Sequence, residues 1–296
     1  MIKTIINEKN LDKADVILVS APYEKTASLR KGTVWGPEKV AEYLDTQIEF
    51  FGRKFRVEVN DFVKIAHLYL DNLAKLSPTQ MVEKIKNNAI ELLEKNKFIF
   101  LLGGEHSVSI GVFQALAKKY KPKDVTILQI DAHCDLREND SDYSKNPSDF
   151  AHSTVMRHAS KLGYKIVQVG IRTYSKEEYE YFSDKKNNIK VFEWGLRDKP
   201  KIEKILKNIK TKYVYLTIDI DGFDPSVMPG TGTPVPDGLK WKYGVKLIEK
   251  LIKKFNLIGA DIVEVSPIPD SVLTEYSAAQ LCYTIIANKF QKKFKR

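Results

Sequence analysis

The sequence predicts an α/β fold, a mostly parallel sheet with helices on both faces. Two observations predict it. Short apolar runs alternate with longer stretches whose apolar residues recur at helical spacing, and strands separated by helices pair in parallel. Residues 98–102 (FIFLL) are apolar throughout and 213–218 (YVYLTI) nearly so, the pattern of strands covered on both faces. Counting such runs by periodicity gives about eight strand candidates.

Taken in order, residues 16–19 (VILV) form the first buried strand. The segment 21–40 (APYEKTASLRKGTVWGPEKV) is turn-rich, and a helix starts near Pro37 or Glu38. Residues 55–59 alternate and are expected as a short edge strand. Met81, Val82, Ile85, Ala89, Ile90 and Leu93 place a helix over 81–97, with Ser77 and Pro78 just upstream as its start. Strand 98–102 ends in Gly103 and Gly104, whose freedom lets the backbone turn sharply, and a helix runs from Ser107 to about Tyr120. The next strand is 125–130, followed by a polar loop over 136–151 and a helix over 153–162. Strands at 166–169, 189–192 and 213–218 alternate with helices at 177–182 and 202–209. A helix over 241–255, a last strand over 257–265 and a closing helix over 277–292 complete the chain. No repeat or long linker interrupts it, so one domain over 1–296 is expected.

Composition narrows the function. With 296 residues, 43% hydrophobic and 29% charged, the chain is long enough for a sizeable core. No apolar run reaches membrane-spanning length, and the start (MIKTIINEKNLDKAD) lacks a long apolar segment, so a cytoplasmic protein is expected. The net charge of +10 comes from lysines spread along the chain, densest in the tail NKFQKKFKR; without a recognised motif, nucleic-acid binding is not expected. Two cysteines, Cys134 and Cys282, form no CxxC pair, and Cys134 is expected as a small buried residue.

Parallel sheets bind ligands beyond the carboxyl ends of their strands, and the unusual polar residues lie there. Asp131, His133 and Asp135 follow strand 125–130 at alternate positions and can face one way if the chain stays extended. Asp219 and Asp221 follow strand 213–218, and His106 follows strand 98–102. Carboxylates this close repel unless a cation sits between them, and oxygen and imidazole donors suit Mn, Fe or Zn. Six donors suit two metals better than one, because two divalent ions carry about +4 and four ionised Asp cancel it. A metal pair points to hydrolysis of an amide-, guanidine- or phosphate-like bond, and the pattern does not choose among these.

Together the motifs resemble the ureohydrolases, the family of arginases and agmatinases. The likeness runs through LLGGEHS (101–107), QIDAHCDLR (129–137), AHST (151–154), TIDIDGFDPSVMPGTGTP (217–234) and DIVEVSP (261–267), with the 21–40 segment as a substrate-side loop. It implies a three-layer α-β-α fold around an eight-stranded parallel sheet, and two Mn²⁺ per chain. One ion would take His106, Asp131, Asp135 and Asp219, and the other Asp131, His133, Asp219 and Asp221. The implied roles place Asp135 as the proton carrier at the reacting centre, His152 as the relay to solvent and Glu264 as the partner of the substrate guanidinium. Asp224 before Pro225 is expected to form a turn; His67 and His158 are expected to be structural. Glu105 stands where many relatives have Asp and is expected to be a tolerated change, with a hydrogen bond that tunes His106 as the alternative. AHST replaces the more usual HG pair.

PGTGTP and AHST look closer to agmatinases than to arginases. The acidic loop after Arg137 (Glu138, Asp140, Asp142 and Asp149) favours a cationic tail over a zwitterionic one. Agmatine, hydrolysed to putrescine and urea, is the expected substrate. N1-aminopropylagmatine, arginine and guanidinobutyrate are the alternatives, beside formiminoglutamase chemistry and a non-catalytic binding relative. The resemblance also implies a homo-oligomer, a trimer or hexamer.

Overall fold

The computed structural model describes residues 4–196 and 199–294. After β1 (Val16–Ala21) and α1 (Gly36–Thr46) comes a small antiparallel ladder of β2 (Phe51–Gly52) and β3 (Val57–Glu58). β4 (Ile65–Tyr69), α2 (Pro78–Glu94), β5 (Phe98–Gly103), α3 (Ser109–Lys119) and β6 (Val125–Ile130) follow. Next are α4 (Val155–Lys161), β7 (Lys165–Ile171), α5 (Lys176–Ser183), β8 (Ile189–Glu193) and α6 (Ile202–Leu206). β9 (Tyr213–Asp219), α7 (Trp241–Lys254), β10 (Asn256–Val263) and α8 (Leu273–Phe290) end the series. No helix among the described residues is long and apolar enough to cross a membrane.

Eight strands form one sheet in the order β4-β1-β5-β10-β9-β6-β7-β8, parallel at every pairing. Strand alternation divides the core in two. Val16, Leu18, Phe100 and Leu102 pack with α1, α7 and α8, whereas Ile17, Val19, Ile99 and Leu101 pack with α2, α3 and α4 on the other face. This is why the strands are apolar at consecutive positions, and it gives the three layers expected. Helix starts follow local chemistry. The Ser77 hydroxyl accepts the Gln80 N–H and the Gln80 side chain accepts the Ser77 N–H, with Pro78 opening α2.

Several elements differ from expectation. Residues 55–59 give no edge strand to the main sheet; only Val57–Glu58 pairs, with Phe51–Gly52. The edge strand on this side is β4, opposite β8, and it reads poorly as a strand because only Ile65 and Ala66 are buried. Its His67 ring lies 2.8 Å from the Ser20 hydroxyl on β1, a structural contact. α8 starts a turn early, because Thr274 and Glu275 are themselves buried. α6 stops at Leu206, short of the expected 209.

The sheet order matters for function. β5, β10, β9 and β6 are neighbours at the centre of the sheet, although far apart in sequence. Their carboxyl ends carry His106, Glu264, Asp219 and Asp131, so the crossovers alone gather the motifs on one edge.

Candidate metal centre

His106 is carried into the interior by the turn after β5. Gly104 is needed there for close approach rather than for an unusual φ: a Cβ would lie 2.1 Å from the Tyr23 carbonyl oxygen. The buried His106 Nδ1 has no hydrogen-bond partner. It faces Oδ2 of Asp135 at 3.0 Å, of Asp131 at 3.3 Å and of Asp219 at 3.6 Å. Across Asp131, His133 Nδ1 lies 3.0 Å from Asp221 Oδ2 and 3.6 Å from Asp131 Oδ1. Two donor groups result, His106 with Asp131 and Asp135, and His133 with Asp131 and Asp221; Asp131 is common to both.

The backbone reaches this arrangement by a different route from plain alternation. β6 ends at Ile130, and Asp135 adopts a left-handed conformation with φ 52°. That turn swings Asp135 to the His106 side and leaves His133 with Asp221. The Asp135 carbonyl accepts the Met156 and Arg157 N–H groups, which ties the turn to α4. Beyond β9, Ile220–Gly222 form a 3₁₀ turn in which the Asp221 N–H donates to Asp219 Oδ1 at 2.9 Å. Gly222 lets this turn press on the β6 end, since a Cβ would lie 2.5 Å from Asp131 N. Thr233 donates to Asp221 Oδ2 at 3.1 Å, and Arg172 clamps the turn by donating to the Asp221 carbonyl at 2.7 Å.

A second layer orients His106. Its Nε2 lies 2.8 Å from the Thr217 hydroxyl, which donates to Asp261 Oδ1 at 2.6 Å; Ser109 donates to Asp261 Oδ2 at 2.9 Å. A hydroxyl has one hydrogen, and Thr217 gives it to the carboxylate. Nε2 must therefore carry the imidazole hydrogen, leaving the Nδ1 lone pair aimed at the carboxylates. Thr217 and Asp261 were not singled out in the sequence, yet a carboxylate inside the apolar run LIGADIV is itself a signal that a polar partner is near.

Electrostatics of the protein groups alone strain the cluster. Burial and then the Asp131 charge push Asp135 up to about 7. Burial, Asp221 and Asp131 push Asp219 well above the carboxylate range. Burial would lower His106, but Asp131, Asp135 and Asp219 together push it well up. Burial likewise opposes protonation of His133, and Asp221 and Asp131 override it. Without a metal a proton on Nδ1 would have to answer these carboxylates; oxygen and imidazole donors converging this closely are the set that divalent metal ions take in place of such a proton.

A cavity of ≈ 210 Å³ lies against the cluster, with His133, Asp135, Asp219, Glu264, His152 and Tyr143 among its lining. Glu264, beyond β10, is buried with φ 63°, a conformation costly for a long side chain. Its Oε1 accepts the His106 N–H at 2.7 Å. Burial and then Glu105 push its pKa well up, and no Arg or Lys neutralises it among the described residues. His152 also lines the cavity, its Nδ1 buried without a partner, and burial lowers its pKa to about 4. A larger cleft of ≈ 1290 Å³ between the β2–β3 ladder and α7 and α8 contains none of these side chains.

The remaining expectations resolve simply. Asp224 forms a turn, accepting from Ser226 N–H and Gly238 N–H at 3.0 Å each. His158 stacks on Phe150 and contacts the Asp149 carbonyl. Cys134 is buried within the apolar cluster on the α2–α3–α4 face, and burial pushes its thiol well up. Glu105 does not touch the His106 ring; its carboxylate is taken by Thr26 and Ser107.

Comparison with known proteins agrees with this geometry. The sequence profile described as Arginase family matches residues 14–287. An N(1)-aminopropylagmatine ureohydrolase of Synechocystis sp. is 35% identical over 280 residues, covering 92% of this chain and 88% of the relative. An agmatinase of Bacillus subtilis is 32% identical over 271 residues, covering 90% and 88%. The crystal structure of agmatine ureohydrolase from Thermoplasma volcanium superposes with a TM-score of 0.83 at 28% identity, covering 97% of this chain and 92% of that one.

Proposed function

The chain belongs to the arginase family, a family of two-metal hydrolases acting on amidino C–N bonds, and on that premise we propose that it hydrolyses agmatine to putrescine and urea. The observation that carries the proposal is the gathering of His106, Asp131, His133, Asp135, Asp219 and Asp221 beneath a cavity whose wall holds Glu264. His106, Asp131, Asp135 and Asp219 would hold one metal ion, and Asp131, His133, Asp219 and Asp221 the other; Mn²⁺ suits these oxygen and imidazole donors. When bound, such a pair lowers the pKa of water and stabilises charge at the reacting carbon.

The chain's own residues do the rest. Glu264 pairs with the substrate guanidinium, which offsets the cost of burying its carboxylate. Asp135 takes the proton from the attacking oxygen and returns it to the departing amine. His152, neutral at pH 7, exchanges protons between the cavity and solvent. Arg137 also lines the cavity but is ion-paired with Asp142, so it offers no open cation to a substrate carboxylate. That favours a substrate with a cationic tail. A second reading, an aminopropyl-extended agmatine, is favoured by the name of the 35% identical relative.

The test is urea release by Mn-loaded protein from agmatine, N1-aminopropylagmatine, arginine and guanidinobutyrate. The highest kcat/KM is expected for agmatine. A preference for the aminopropyl compound selects the second reading, and a preference for arginine overturns both.

A further inference from the structure

The loop after β5 delivers more than His106. Glu105 is completely buried, and a buried carboxylate needs partners. It finds them on the 21–40 segment: Oε1 accepts the Thr26 hydroxyl at 2.6 Å and Oε2 accepts the Thr26 N–H at 2.7 Å. Ser107 donates to Oε1 at 2.5 Å, so both oxygens are held. With its single hydrogen committed to Glu105, the Thr26 oxygen turns its lone pairs elsewhere. It accepts the His152 N–H at 3.1 Å. His152 opens the 3₁₀ turn His152–Thr154, and its ring reaches the cavity. On its other side the Tyr143 ring stands 5.7 Å away, with the Tyr143 hydroxyl bonded to Ser153. The hydrogen bonds thus run in one direction, from the backbone of His152 through Thr26 to Glu105.

We propose that Glu105 and Thr26 are positioning residues for His152, holding its ring at the cavity wall through this directed chain. The inference rests on the reading of His152 as the proton relay. It also accounts for glutamate at a position where the family resemblance gives aspartate. An Asp side chain would withdraw the carboxylate by about one C–C bond, ~1.5 Å, which is too far to keep both Thr26 contacts.

Thr26→Val tests the proposal with little risk to the fold, because the side chain is only partly buried. The expected result is a fall in kcat of ~10²-fold, the effect of a displacement of about 1 Å. KM and bound metal should stay unchanged, and added imidazole, a diffusible base, should restore part of the loss. Thr26→Ser keeps the hydroxyl and should retain wild-type turnover. Glu105→Asp should resemble Thr26→Val; if that variant does not fold, the Thr26 pair decides. His152→Ala is measured alongside. Wild-type turnover in His152→Ala overturns the relay reading itself. If His152→Ala loses turnover and regains it with imidazole, wild-type turnover in Thr26→Val overturns the positioning role alone. So does a loss in Thr26→Val that imidazole leaves unchanged.

Discussion

Thr217→Val probes the metal centre without touching a proposed ligand. The substitution removes one buried hydroxyl and leaves a side chain of nearly the same shape. The His106 Nε2–H, now 2.8 Å from that hydroxyl, would face a methyl group, and Asp261 would keep Ser109 at 2.9 Å but lose its 2.6 Å donor. A buried donor left without a partner costs about 1–3 kcal/mol. Loss of the outer hydrogen bond of a metal-binding histidine weakens metal affinity by ~10–100-fold. That factor corresponds to about 1.4–2.8 kcal/mol, so the two routes agree. Titration calorimetry of Mn²⁺ into metal-free protein reads the affinity, and thermal unfolding shows that the variant is folded. The expected result is a ~10–100-fold rise in Kd, with Thr217→Ser near wild type. A folded Thr217→Val that binds Mn²⁺ with unchanged affinity would refute the argument that Thr217 fixes the His106 tautomer.

Three further outcomes are expected. Asp131 belongs to both donor groups, so Asp131→Asn should lose metal at both positions and turnover with it; full metal content by elemental analysis would contradict its bridging place. Glu264→Gln keeps size but removes the charge, and losing one charge-assisted hydrogen bond of about 1.5–3 kcal/mol should lower kcat/KM by roughly 10–150-fold while metal content holds. Burial would raise the Asp224 pKa, but the Ser226 hydroxyl and Lys240 hold it well below its ordinary 3.8. A carboxylate so depressed stabilises the fold above its unfolded pKa and loses that contribution as pH falls through the folded value. Asp224→Asn should therefore lower stability at pH 7 by about 1–3 kcal/mol and flatten the acid limb below about pH 4, read by urea unfolding across pH.

How much of this was legible depends on where each signal resides. β5, β6 and β9 announce themselves because both faces are buried and the runs are apolar throughout or nearly so. β4 does not, because an edge strand is half covered and admits His67 and Tyr69. In the site, alternation after β6 and β9 pointed to side chains that the structure does bring together, for a partly different reason. Asp131 does follow the strand directly, whereas Asp135 arrives through a left-handed turn and Asp221 through a 3₁₀ turn. Those turns depend on contacts with α4 and with the β6 end that no local pattern encodes. Glu105 looked like a neighbour of His106 in sequence, but its partner Thr26 lies 79 residues away. A hydrogen bond across that separation is a property of the sheet order.

Anomalous diffraction from crystals grown with Mn²⁺ would show whether six side chains hold a pair of metal ions. Two anomalous peaks are expected, one beside His106 and Asp135, the other beside His133 and Asp221, with Asp131 touching both. Crystals with full diffraction and no anomalous peak among these side chains would contradict the proposed metal pair.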